Sequence, residues 1–300
     1  MDRNLMEMLL QGNALLALAA AALWGGGDFS GGMGVKHAGG TMGAALRVIL
    51  LSHCASLSVL LFAARWRGDV FPHGAPLVWG LVAGMTAGIA LACFYIALSR
   101  GAMGASAAVS GLLAAAIPAA VSVGMEGSPG RLHVMGFLVA GMAIWLIAAG
   151  PNPEAKPADR GTFWLAVAGG LGFGVYFVAL KLAGSTGVIW PLATARMGSI
   201  AVCLLMVAGM SLTGRKAGAK AVVTRKVLFW ALGTALLDTS GNLLFIAATR
   251  AGRLDVAAVL ASLYPASTIL LAAWALHERP TPRQGLGMAV ALAAVVMITL

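Results

Sequence analysis

Three hundred residues, 60% of them apolar and only 10% charged, exclude an ordinary soluble domain, which runs near half apolar and a quarter charged. A hydrocarbon core about 30 Å thick takes roughly 20 apolar helical residues at 1.5 Å each, so the chain has length for ten crossings and no separate catalytic domain. The net charge of +10 is scattered through short connections between apolar runs, which argues against a nucleic-acid partner and fits topology and contact with an anionic lipid bilayer.

The first apolar run follows Asp2, Arg3 and Glu7; it is too long, and too acidic at its start, for a secretory signal, and reads as a retained span over 13–35. It carries Trp24-Gly25-Gly26-Gly27-Asp28-Phe29 and then Gly31 and Gly32. The second span, 41–64, holds Arg47, His53 and Cys54. On the third, 75–98, Gly80, Gly84 and Gly88 recur every four residues, a small-residue face that lets another helix approach closely. Tyr95 lies near its end. The fourth and fifth spans, 102–123 and 132–149, flank a loop with Glu126; Pro118 is expected to interrupt the fourth as a hinge. Prolines and charges mark 151–160 as a linker.

In the second half, the sixth span, 161–183, carries Gly169, Gly170, Gly172, Gly174, Phe173 and Tyr176. The glycines on this span and on the first fit either tight helix contact or backbone that lines a cavity. The seventh, 188–211, contains Arg196. A basic loop over 213–226 leads to the eighth, 227–249, with Asp238 and Asn242 one turn apart on one face. Tyr264 and Pro265 lie within the ninth, 254–276, which Pro265 is expected to interrupt as a hinge as Pro118 does the fourth, and the tenth runs over 284–300. Cys54, Cys93 and Cys203 are scattered inside spans and read as packed thiols, with no disulfide framework and no zinc motif.

The two halves repeat one another. Phe94-Tyr95-Ile96-Ala97-Leu98-Ser99-Arg100 returns as Leu244-Phe245-Ile246-Ala247-Ala248-Thr249-Arg250, a shift of 150; Arg47 matches Arg196, and Glu126 matches Glu278. Five spans are an odd number, so the second copy enters the bilayer upside down. The expected fold is an all-α membrane protein of ten transmembrane helices in two inverted five-helix repeats, 1–150 and 161–300, the plan of many secondary transporters.

Ionisable side chains deep in a span are costly there and mark functional sites. Asp28 and Arg47 fall roughly 9 to 12 Å below one surface by helical rise, while Arg196 and Asp238 fall roughly 12 and 18 Å below the other. Two structural ion pairs, Asp28 with Arg47 and Arg196 with Asp238, are one reading. In the other, the guanidinium groups bind a carboxylate or phosphate on the substrate, and the aspartates hold an amine or a coupling proton. His53, on a different face from Arg47, reads as a packed neutral histidine rather than a proton relay. Asn242 is expected beside Asp238, and Trp24, Tyr95, Tyr176 and Tyr264, like Phe29 and Phe173, are candidate pocket aromatic residues.

No His-Glu-x-x-His, Gly-x-Ser-x-Gly or Gly-x-x-x-x-Gly-Lys-Ser/Thr pattern is present in the sequence, and no catalytic residue, cofactor or metal ligand is expected. The duplicated half, Leu23 to Gly32 on the first span, Ser262-Leu263-Tyr264-Pro265 on the ninth and His277-Glu278-Arg279-Pro280-Thr281 after it together resemble the EamA family of the drug/metabolite transporter superfamily. The first copy departs from that pattern, with Ser110-Gly111-Leu112-Leu113 at the corresponding place. The resemblance implies a central cavity between inverted bundles and export or exchange of a small-molecule metabolite such as an amino acid. A proton or a counter-substrate is the expected coupling partner, and a homodimer the expected alternative to a monomer. It also implies a bacterial inner membrane and cytoplasmic termini. Lys and Arg number seven on the N-terminal side and eleven on the other, which points the opposite way, though one loop supplies five of the eleven.

Overall fold

A computed structural model of the chain describes residues 3–100, 103–148, 160–212, 223–276 and 281–299, all helix and short connection with no strand among them. The linker at 151–159, the basic loop at 213–222 and His277-Glu278-Arg279-Pro280 lie outside the described residues. The first half forms α1 (Arg3–His37), α2 (Met42–Arg67), α3 (Ala75–Ser99), α4 (Met103–Glu126) and α5 (Arg131–Ala148). The second forms α6 (Arg160–Ala183), α7 (Ile189–Leu212), α8 (Arg225–Ala251), α9 (Leu254–Ala261), α10 (Tyr264–Leu276) and α11 (Pro282–Thr299).

Eight of these helices are long and apolar enough to cross a membrane; α5 and the broken α9–α10 segment supply two shorter apolar ones, giving ten segments. Phe62, Trp66, Leu138, Trp145, Trp164, Leu205, Phe229 and Trp274 are exposed on the outside of the bundle. In water such a belt would be a liability; against acyl chains it is the required surface.

Local chemistry explains the boundaries. The Thr41 hydroxyl accepts from the amide of Ala44 at the start of α2, and Gly68 closes that helix in the left-handed region at φ 70°. Thr224 caps α8 in the same way through the amide of Val227, so Arg225 and Lys226 belong to the first turn of α8 rather than to a loop. Pro118 sits inside an unbroken α4, so it does not interrupt the fourth segment as expected. Pro265 does coincide with a break: α9 stops at Ala261 and α10 starts at Tyr264.

The halves interlock. The most extensive helix contacts join opposite halves, α1 with α8 and α3 with α6, and the inversion exchanges these two pairs. The α4–α6 contact is likewise answered by α1 with α9 and α10, while α2 meets α7 and α5 meets α11. Small residues make the close crossings. A Cβ on Gly80 would overlap Thr194, one on Gly84 the Ala195 carbonyl, and one on Gly198 the Leu81 carbonyl, so α3 and α7 meet backbone to backbone.

Candidate functional site

Helix α1 brings its glycines against α8 and α10. A Cβ on Gly27 would lie 3.3 Å from the Asp238 amide nitrogen, and one on Gly31 would collide with the Tyr95 ring. This close approach seats Asp28 within electrostatic reach of Asp238 and Tyr95 in the middle of the bundle. The glycine-rich stretch of α1 therefore does more than pack, because side chains at Gly27 and Gly31 would crowd Asp238 and Tyr95, the groups that Asp28 couples to.

A hydrogen-bonded chain runs from there through four helices. Arg196 on α7 is paired through Nη2 with Asp238 on α8, and its Nη1 donates to Nε2 of His53 on α2 at 2.9 Å. A guanidinium has only donors, so His53 Nε2 accepts, and Nδ1 carries the hydrogen given to the Ser199 hydroxyl at 2.8 Å. The Asn242 amide donates to the Asp238 backbone carbonyl at 2.7 Å, and its oxygen accepts from the Tyr176 hydroxyl at 2.6 Å. Arg196, His53 and Asn242 are each 2% exposed.

The expected pairings are half met. Arg196 and Asp238 form an ion pair; Asp28 and Arg47 do not, and Asp28 has no cationic partner among the described residues. The repeat register explains the asymmetry: the position matching Asp238 in the first half is Gly88, so the half that carries Arg47 lacks an equivalent acid on α3. Asn242 lies beside Asp238 as its spacing requires. Tyr95 and Tyr264 are buried on the Asp28 side, and Tyr176 is held by Asn242. Trp24 is further off, stacked on Phe177 with ring centroids 5.1 Å apart and backed by Gly241, which makes it a core aromatic one turn from Asp28. Phe29 and Phe173 pack edge-on against Trp230 and Phe94. His53 carries more than its sequence position suggested: it links the arginine to Ser199. The lone signal was its place in the middle of an apolar span.

The end of the bundle nearest the N-terminus is cross-tied. Glu126, at the end of α4, pairs with Lys181 of α6 at 3.0 Å and accepts from the Leu254 amide that opens α9. Lys181 also donates to the Thr249 carbonyl, Arg253 reaches the carbonyls of Glu126 and Gly127 and pairs with Asp255, and Asn13 ties α1 to the α8–α9 connection. An open depression of about 480 Å³ adjoins these ties, lined by Lys181, Leu182, Gly184, Ser185, Thr249 and Arg250.

Residues 160–300 match the EamA-like transporter family. This match identifies the second half of the chain as EamA-like. The matched stretch covers α6 to α11 and so contains Arg196, Asp238, Asn242, Tyr176 and Tyr264. The EamA match indicates a transporter of the drug/metabolite class, in keeping with the multi-pass membrane bundle. A solved structure titled "Crystal structure of protein" is similar in fold, with a TM-score of 0.73 over 96% of both chains at 16% identity. No curated protein matches the chain.

Proposed function

We propose that this EamA protein is a secondary transporter that exports or exchanges a small polar or zwitterionic metabolite of the amino-acid type by alternating access. Its substrate site is the level of Asp28, Asp238 and Arg196, with Asn242, Tyr95, Tyr176 and Tyr264 around it and Arg47 and Trp24 at its margin. The observation that carries this reading is Asp28: a carboxylate held inside a lipid-embedded bundle, beside a second carboxylate, with no cation of its own among the described residues. Such a group is expensive unless something arrives to neutralise it. An ammonium group on the substrate does so, and so does a proton in the substrate's absence. The same geometry supplies coupling without a nucleotide site, with a proton or a counter-substrate as the exchanged partner. The cell inner membrane is the proposed location, and two inverted EamA-type halves are the proposed domain plan.

Uptake of a labelled amino-acid panel into proteoliposomes tests this. Asp28→Asn and Asp238→Asn are expected to lower flux by about tenfold or more while the protein still inserts, since each removes a charge-assisted contact in a site of low dielectric. Undiminished flux in both variants removes the two aspartates from transport. Because the unpartnered carboxylate also suits a cationic, lipophilic cargo, the same vesicles are offered an organic-cation panel. Movement of cations but no amino acid would make the protein a broad-specificity efflux pump instead.

A further inference from the structure

The break between α9 and α10 leaves polar groups without partners. Pro265 has no amide hydrogen, so the Ala261 carbonyl lacks its helical donor at the fourth residue on. Around this break three side-chain hydroxyls are buried with no partner at full hydrogen-bonding geometry: Ser262 at the break, Tyr264 at the start of α10 and Ser110 on α4, the last two near enough to bond each other. They lie close together. The Tyr264 ring brings its hydroxyl beside Ser110, and a Cβ on Gly111 would lie 3.4 Å from the Ser262 carbonyl. Ser110 and Ser262 are also matching positions of the two repeats, one from each half.

Most hydroxyls in these helices behave differently. Ser52, Ser56, Thr86, Thr194, Thr234 and Thr249 each donate back to a carbonyl of their own helix, the usual way a span satisfies a serine or threonine. Ser110 and Ser262 forgo that bond. A buried hydroxyl left without a partner destabilises a protein, and three in one seam describe a site that waits for an acceptor. Tyr264 is also within electrostatic reach of Asp28. The seam thus sets hydroxyl donors within electrostatic reach of the Asp28 carboxylate, an arrangement that suits a molecule carrying both an ammonium and a carboxylate.

We infer that Ser110, Ser262 and Tyr264 form a carboxylate subsite that, with Asp28 at the ammonium end, selects α-amino acids over the corresponding amines. This rests on the reading of Asp28 as the substrate's ammonium partner. Arg196 keeps one buried nitrogen, Nε, without a partner, but Asp238 and His53 hold its other two, so the guanidinium is less free than the hydroxyls to turn toward a carboxylate. The missing bond at Pro265 lets α10 tilt on α9, the movement that uncovers the hydroxyls to the substrate.

The test uses the purified full-length chain and pairs of ligands that differ only in the carboxylate: L-phenylalanine with 2-phenylethylamine, L-leucine with 3-methylbutylamine, and L-lysine with 1,5-diaminopentane. Wild type is expected to bind one of the amino acids at least about tenfold more tightly than its amine. Ser110→Ala, Ser262→Ala and Tyr264→Phe are each expected to cut that ratio by about tenfold, roughly the effect of one hydrogen bond. The unliganded melting temperature is expected to stay level or rise, because each change deletes a buried hydroxyl that lacks a partner. Variants that melt lower or fail to fold, with the ratio unchanged in any that fold, would show the hydroxyls to be structural and overturn the subsite. Equal binding of amine and amino acid by wild type, abolished by Asp28→Asn, also overturns it while leaving Asp28 as the ammonium partner. Binding of neither class overturns both.

Discussion

At the scale of single residues, the site depends on groups that each answer two neighbours. His53 receives from Arg196 and gives to Ser199, so it fixes the guanidinium from the side opposite Asp238. Replacing it with alanine strands a buried cationic donor and a hydroxyl together, and a loss of roughly 1–3 kcal/mol in unfolding free energy is expected. His53→Gln keeps an acceptor and a donor on one side chain and is expected to recover most of that loss. Chemical unfolding of the two variants in detergent checks this; equal stability of His53→Ala and His53→Gln would mean the histidine acts only by its volume. Arg196, Asp238 and Asn242 could be read from the sequence, because charge inside an apolar run is rare and the spacing of Asp238 and Asn242 sets both on one helical face. The bridging role of His53 could not be read, since it arises from α2 meeting α7, a tertiary contact that no single-helix pattern encodes.

At the scale of helices, close approach is bought with glycine, and the places where it matters separate cleanly from those where it does not. Gly84 faces the Ala195 carbonyl, whereas a Cβ on Gly124 in α4 would meet nothing within 4 Å. Gly84→Ala must therefore push α3 and α7 apart, with an expected cost of about 1–3 kcal/mol from overpacking. Gly124→Ala relieves only helix-interior glycine and is expected to stabilise by up to about 1 kcal/mol. Melting curves of the pair decide the point, and a Gly84→Ala protein as stable as wild type would remove the backbone contact as the determinant of the α3–α7 crossing. The four-residue glycine spacing made this face legible in advance. Hydropathy also located all ten segments, because lipid leaves helices as the natural way to bury so much apolar backbone. The two prolines were not distinguishable in that way. Pro118 and Pro265 carry the same local restriction, and only the packing around each determines that one is absorbed into a continuous helix while the other coincides with a break.

At the scale of the whole molecule, inversion creates two ends with equivalent helices but different chemistry. The end nearest the N-terminus is drawn together by Glu126, Lys181, Arg253 and Asp255, which join α4 of the first half to α6 and α9 of the second. These helices carry or adjoin Ser110, Tyr176 and Ser262, so parting them at this end would lead toward the central polar residues. Glu126 and Lys181 are partly exposed, so their attraction is screened and modest, which suits the contact that the proposed alternating-access cycle would break and re-form. Glu126→Gln removes the ion pair with Lys181 and weakens acceptance from the Leu254 amide while preserving shape. It is expected to increase opening at this end by roughly tenfold, the effect of about 1.4 kcal/mol. The readout is a cysteine at Asn242, introduced after Cys54, Cys93 and Cys203 are replaced, and labelled in membranes by an impermeant maleimide applied from this side. Faster labelling in Glu126→Gln, reversed when a larger salt-independent contact such as Glu126→Met with Lys181→Leu is installed, identifies the ion pair as the barrier. Unchanged labelling would place the barrier elsewhere, in the glycine-packed crossings that hold the same helices together.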